Sequence, residues 1–116
     1  MLRRKKVTVE MDYLMEKMPC RNAFVAWSVD HAGIVTLEMK NIGWANRVAQ
    51  IILGKPRVTY IHLDEFGSYI WIILDGEKSI REIGTLVDSM FGKKAYPLYS
   101  RLIQFLKILN SYHFIS

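Results

Sequence analysis

The sequence of 116 residues holds one cysteine, Cys20. That excludes an intrachain disulfide, and also a cysteine-rich zinc site or an iron–sulfur cluster held by this chain alone. No run of about 18 uninterrupted apolar residues occurs, and no apolar signal-peptide stretch follows the basic N-terminus. A cytoplasmic protein without a membrane anchor is the expectation. Acidic residues are few, 11 against 16 Lys and Arg. The excess is local: Arg3, Arg4, Lys5 and Lys6 carry four of the five net positive charges, so the body is close to neutral. Residues 1–8 read as a solvated basic tail able to steer an acidic partner. Residues 9–116 read as one domain.

What the sequence does contain is apolar residues, 51% of the chain, arranged in segments whose period changes. Met11, Leu14, Met15 and Met18 recur at the spacing of one helical face, and Pro19 stops that helix. From Ala23 the composition turns to β-branched and aromatic residues. AFVAWSV and IVTLEMK flank Asp30-His31-Ala32-Gly33, which predicts a hairpin. Trp44, Val48, Ile51 and Ile52 predict a helix from Trp44 to Leu53, ending at Gly54 before Pro56. Arg57 to Leu63 reads as a third strand, with Thr59, Ile61 and Leu63 on one face and Val58, Tyr60 and His62 on the other.

Three helices should follow. Asp64 is placed as an N-cap, and Phe66, Ile70, Ile73 and Leu74 form a stripe before the Asp75-Gly76 stop. Ser79-Ile80-Arg81-Glu82 has the S-x-x-E spacing of a capping box. Ile80, Ile83, Val87 and Met90 then face inward until Gly92. The last helix starts near Pro97, a suitable first helical residue, with Leu98, Leu102, Phe105, Leu106 and Leu109 as its apolar stripe. Phe114 and Ile115 are expected to pack back on the core.

Little of this carries reaction chemistry. Asp64, Asp75 and Glu82 fall at helix ends, where orphan N–H groups already account for them, rather than in the facing pair that carboxylate catalysis needs. His31, His62 and His113 have no metal-binding spacing, and no phosphate-cradling glycine loop or nucleophile elbow occurs. No catalytic residue, metal or cofactor is expected; the protein reads as a binding module. A winged-helix DNA reader is the alternative in that class. Its last helix offers Arg101, Gln104 and Lys107, with Lys93 and Lys94 nearby, which is thin beside what phosphate binding relies on. A purely structural or dimerising module is the other alternative.

The strand ending in Leu63-Asp64, the helix through Gly67 and Trp71 into Leu74-Asp75-Gly76, the Ser79 to Ile83 helix start and the final helix with Phe105 and Leu106 together resemble the PqqD family. The likeness covers Arg57 to Ile115 well and the hairpin loosely. It implies a winged-helix-like α+β fold, with a small three-stranded antiparallel sheet packed on a three-helix bundle; here there are extra short helices before and within the strand region. It also implies a non-enzymatic peptide chaperone of the coenzyme PQQ biosynthesis family. Such a protein binds the leader of a ribosomally made precursor peptide and presents it to a modifying enzyme, often of the radical S-adenosylmethionine type. Carried onto this sequence, the leader adds as a strand beside Arg57, Val58, Thr59, Tyr60, Ile61 and His62 and lies against Leu98, Arg101, Leu102 and Phe105. Strand addition takes affinity from main-chain hydrogen bonds and selectivity from alternate side chains. Two departures stand out: the helical-looking connection from Asn41 to Pro56 is long for the family, and the helix before Cys20 is extra. Either is placed to cover the edge or to support a homodimer that exchanges strands.

Overall fold

The computed structural model describes residues 10–40 and 58–116. The basic tail, the helix expected from Trp44 to Leu53, and Arg57 lie outside the described residues. Strands β1 (Trp27–Val29), β2 (Val35–Lys40) and β3 (Val58–His62) are followed by helices α1 (Glu65–Ile73), α2 (Ile80–Phe91) and α3 (Leu98–Ser111). A further helical segment spans residues 10–15. The architecture is α+β, a three-stranded antiparallel sheet with several helices, consistent with a winged-helix-like arrangement. The chain forms two compact units, one holding residues 23–68 and the other residues 1–22 with 69–116.

In the first unit the sheet runs in the order β1-β2-β3. The predicted hairpin forms, and Asp30 closes it: its Oδ1 accepts from the N–H of Ala32 and of Ile34, both at 2.9 Å. This is the local bonding that favours aspartate in turns. Val35 and Leu37 are fully buried, as alternation on a half-buried strand requires. Their neighbours Thr36 and Glu38 are only partly covered.

The ladder ends on a side chain. Leu63 donates its N–H to the Val35 carbonyl at 2.9 Å, but the Val35 N–H goes to Ser68 Oγ at 2.9 Å. The Ser68 hydroxyl in turn reaches toward the Leu63 carbonyl at 3.5 Å. A serine of α1 thus stands where a return backbone bond would be, and it is almost wholly buried. Ser68→Ala would leave the Val35 N–H buried without a partner, at a cost of about 1–3 kcal/mol. Chemical denaturation should show that loss, while Ser68→Cys or Ser68→Thr, which keep a polar atom there, should lose less.

The second unit is helical, and its apolar stripes are largely where the periodicity puts them. Ile70, Leu74, Ile83, Val87, Leu102 and Leu109 are buried, joined by Trp71, Phe114 and Ile115. The start of α1 belongs to the first unit, where Asp64 caps it by accepting from the Gly67 N–H at 2.7 Å. The Ser79–Glu82 capping box is complete at the start of α2. Gly92, at φ 57°, ends α2, and a short 3-10 turn, Gly92–Ala95, leads to α3.

Four positions differ from the sequence expectation. Met90 is 59% exposed; Asp88 and Ser89 are exposed too, so cover in the last turn of α2 falls on Phe91, half-buried and edge-on to Tyr69. Of the methionine stripe only Met15 is buried, whereas Met11 and Met18 are exposed; a segment of under two turns has no length to bury a whole stripe. Pro97 is the N-cap of α3 and Leu98 its first residue, a one-residue shift of the kind helix ends commonly show.

The segment after Pro19 does something the periodicity did not indicate. Cys20 and Arg21 form isolated bridges to Asp75 and Ile115. Cys20 and Ser116 exchange both backbone bonds, Asn22 donates to Phe114, and Gly76 donates to Pro19. Gly76 has φ 79°, and a Cβ there would sit 3.1 Å from the Cys20 Cβ, so glycine is required on both counts. Arg21 then caps the C-terminus of α1, its Nη1 donating to the carbonyls of Trp71 and Ile72 at 2.9 and 2.6 Å. A cation there complements the negative end of the helix dipole. Beside it the Lys78 ammonium, hydrogen-bonded to Asp75, holds the Asp75 carboxyl below its ordinary range, helped by the Glu77 N–H.

Candidate functional site

Among the described residues β3 pairs with β2 alone and so forms one edge of the described sheet. The register pairs Leu37 with Ile61, Glu38 with Tyr60 and Met39 with Thr59. In an antiparallel ladder, opposed pairs alternate between those that exchange backbone bonds and those that do not. The Leu63-to-Val35 bond puts Val35 and Leu63 in the bonded class, so Ile61 and Thr59, two and four residues back, direct their N–H and C=O toward β2. The other side of β2 gives the same answer independently, since Glu38 donates to Ala26 at 2.9 Å across the β1 side. The main-chain groups of Val58, Tyr60 and His62 therefore point away from β2, toward the outer edge.

Burial along β3 does not follow the same period. Val58 and Ile61 are half-buried, while Thr59, Tyr60 and His62 are exposed. Tyr60 has 60% of its surface accessible. His62 is held by a cross-strand bond, its Nδ1 2.8 Å from Thr36 Oγ1. That contact orders the ring at the end of the strand, just before Asp64 begins the helix.

The residues carried onto α3 divide differently. Leu102 is fully buried and belongs to the core of its unit, so it has no surface to give a ligand in this structure. Leu98, Arg101 and Phe105 are half-buried. Arg101 also donates from Nη1 to the Lys94 carbonyl at 2.8 Å, which ties α3 to the preceding 3-10 turn. β3 and α3 belong to different compact units. Sequence reasoning missed Ser68, whose hydroxyl sets where the β3 ladder stops; a serine inside an apolar helix gives no signal until the strand beside it is known.

No cluster of three or more His, Cys, Asp or Glu side chains occurs among the described residues, and none of their helices is long and apolar enough to cross a membrane. A three-stranded antiparallel sheet followed by three helices defines a small winged-helix-like α+β protein. The family model for coenzyme PQQ synthesis protein D (PqqD) matches residues 49–115; this is more than half of the chain, which therefore belongs to the PqqD family. The match takes in β3 and all three helices that follow it. No curated protein and no solved structure matches the chain. Family membership places the protein among the accessory proteins of PQQ-type synthesis.

Proposed function

We propose that the protein binds the leader segment of a ribosomally made precursor peptide along the outer edge of β3 and presents it to a modifying enzyme, without catalysing a reaction itself. The observation that carries this reading is the outward set of main-chain donors and acceptors on Val58, Tyr60 and His62. An added strand satisfies such groups and reads alternate side chains as it does so. Family membership supports the same role. The enzyme partner suggested by the family is of the radical S-adenosylmethionine type, acting in the cytoplasm. Leu98, Arg101 and Phe105 on α3 are proposed as a second set of leader contacts.

The test uses a short precursor encoded beside this gene, mixed with the full chain and followed by residue-resolved amide hydrogen exchange. The Tyr60 amide should become protected in the mixture, whereas Ile61, already bonded to β2, should change little. Protection confined to other elements would reject the β3 edge. Binding of random-sequence duplex DNA with a steep salt dependence would reject the peptide reading as a whole.

A further inference from the structure

An open recess of about 760 Å³ lies within the helical unit. Thr85 and Asp88 of α2 line one side, and Tyr96, Leu98 and Tyr99 line the other. Its aromatic walls are held in place from α2. A Cβ on Gly84 would collide with the Tyr99 ring, so that ring packs directly on the helix backbone, while the Tyr96 hydroxyl donates to Asp88 Oδ1 at 3.0 Å. The recess shares Leu98 with the α3 contacts proposed above and nothing with β3. Its occupation therefore does not rest on that reading.

Asp88 is the one lining side chain charged at neutral pH. It stands in the last turn of α2, at the negative end of the helix dipole, and no basic residue of that turn answers it. Beyond the Tyr96 hydroxyl, its carboxylate makes no hydrogen bond or ion pair with any described residue. The cations nearest along the chain lie outside the lining: Lys93 and Lys94 are exposed in the 3-10 turn, and Arg101 donates to the Lys94 carbonyl. The hydrogen bond to Asp88 pushes the Tyr96 phenol above its ordinary range, so that ring stays uncharged. A carboxylate beside phenol rings suits a guanidinium or ammonium group.

An occupant of that chemistry is within reach in this chain. Arg3, Arg4, Lys5 and Lys6 are its longest basic run, and they precede a helical segment docked on α2, where Asp12 and Glu16 pair with Arg81 at 3.8 and 3.3 Å. Arg81, Thr85 and Asp88 recur at i, i+4 and i+7, so they share one face of α2, with Asp88 about 10 Å along from Arg81. The chain from Lys6 to Asp12 spans up to about 20 Å when extended, which covers that distance. The carboxylates on the way are engaged, Asp12 and Glu16 by Arg81 and Glu82 in its capping box.

We infer that this recess receives the chain's own basic tail, with one of its guanidinium or ammonium groups at Asp88 and beside the Tyr96 and Tyr99 rings.

The test follows backbone amide shifts of the full chain at low ionic strength. Neutralising the tail, with Arg3→Gln, Arg4→Gln, Lys5→Gln and Lys6→Gln together, should move the amides of Thr85, Asp88, Tyr96 and Tyr99. In an Asp88→Asn background the same tail change should move them at most about a third as far, since an exposed ion pair contributes a few-fold. Asparagine keeps an acceptor for the Tyr96 hydroxyl, so the melting temperature of Asp88→Asn should match the parent's. Salt at about 0.5 M should bring the parent's shifts toward those of the neutral-tail variant. No movement at the recess, movement centred on Glu10 or elsewhere, or equal movement in both backgrounds overturns the inference. An effect that grows with protein concentration would assign the recess to the tail of a second copy and overturn it too.

Discussion

Proline at Tyr60 should leave the protein folded and disable leader binding, whereas proline one residue later, at Ile61, should damage the fold. The difference comes from the ladder parity. The Ile61 N–H points toward β2 in a bonded pair with Leu37, so Ile61→Pro removes a donor the sheet uses. It leaves the Leu37 carbonyl without its partner, at a cost of about 1–3 kcal/mol, and it loses the packing of a half-buried isoleucine. For a domain of this size the melting temperature should fall by on the order of 10 °C. The Tyr60 N–H points outward, the one orientation in which a strand tolerates proline. Thermal melting should therefore change little for Tyr60→Pro, while leader affinity falls by roughly ten- to a hundredfold, the equivalent of one lost hydrogen bond and a ring placed in the path of the added strand. Tyr60→Ala separates the donor from the side chain, because alanine keeps the N–H. If Tyr60→Pro binds the leader as well as Tyr60→Ala does, the backbone at this position takes no part, and strand addition on β3 is wrong.

The parity that divides those variants could not be read from the sequence. Alternation of Thr59, Ile61 and Leu63 against Val58, Tyr60 and His62 tells which side chains share a face, but both faces occur in either register. Deciding the direction of each N–H needs a partner, here Val35 for Leu63 and Ala26 for Glu38. Features that depend on a few neighbours in the chain were legible: the Asp30 turn, the Asp64 cap, the Ser79–Glu82 box and the Gly92 stop each satisfy their own backbone within four residues. Features that depend on distant segments were not. Ser68 reads as a weak point in an apolar helix until Val35, 33 residues away, arrives to use its hydroxyl. Arg21 reads as one more surface cation until it meets the carbonyl end of α1, 50 residues on. Met90 fits the stripe of α2 in period and fails in burial, since periodicity says which side a residue faces and nothing about where cover ends.

The same distinction sets the outcome on α3, where Leu102 and Phe105 lie close on one helical face. Leu102 is fully buried, and Leu102→Ala should cost about 2–5 kcal/mol as its cavity fails to collapse. Phe105 is half-buried, so Phe105→Ala should cost well under the roughly 3–5 kcal/mol of a fully buried phenylalanine. The two variants should then separate when urea unfolding is compared with leader titration. Leu102→Ala should lower stability strongly, with affinity per folded molecule unchanged. Phe105→Ala should retain most of its stability and lose affinity by about tenfold, the scale of one well-packed interface side chain. If the loss of binding in Phe105→Ala tracks the unfolded fraction alone, the α3 contacts are structural, and leader recognition must rest on β3 without them.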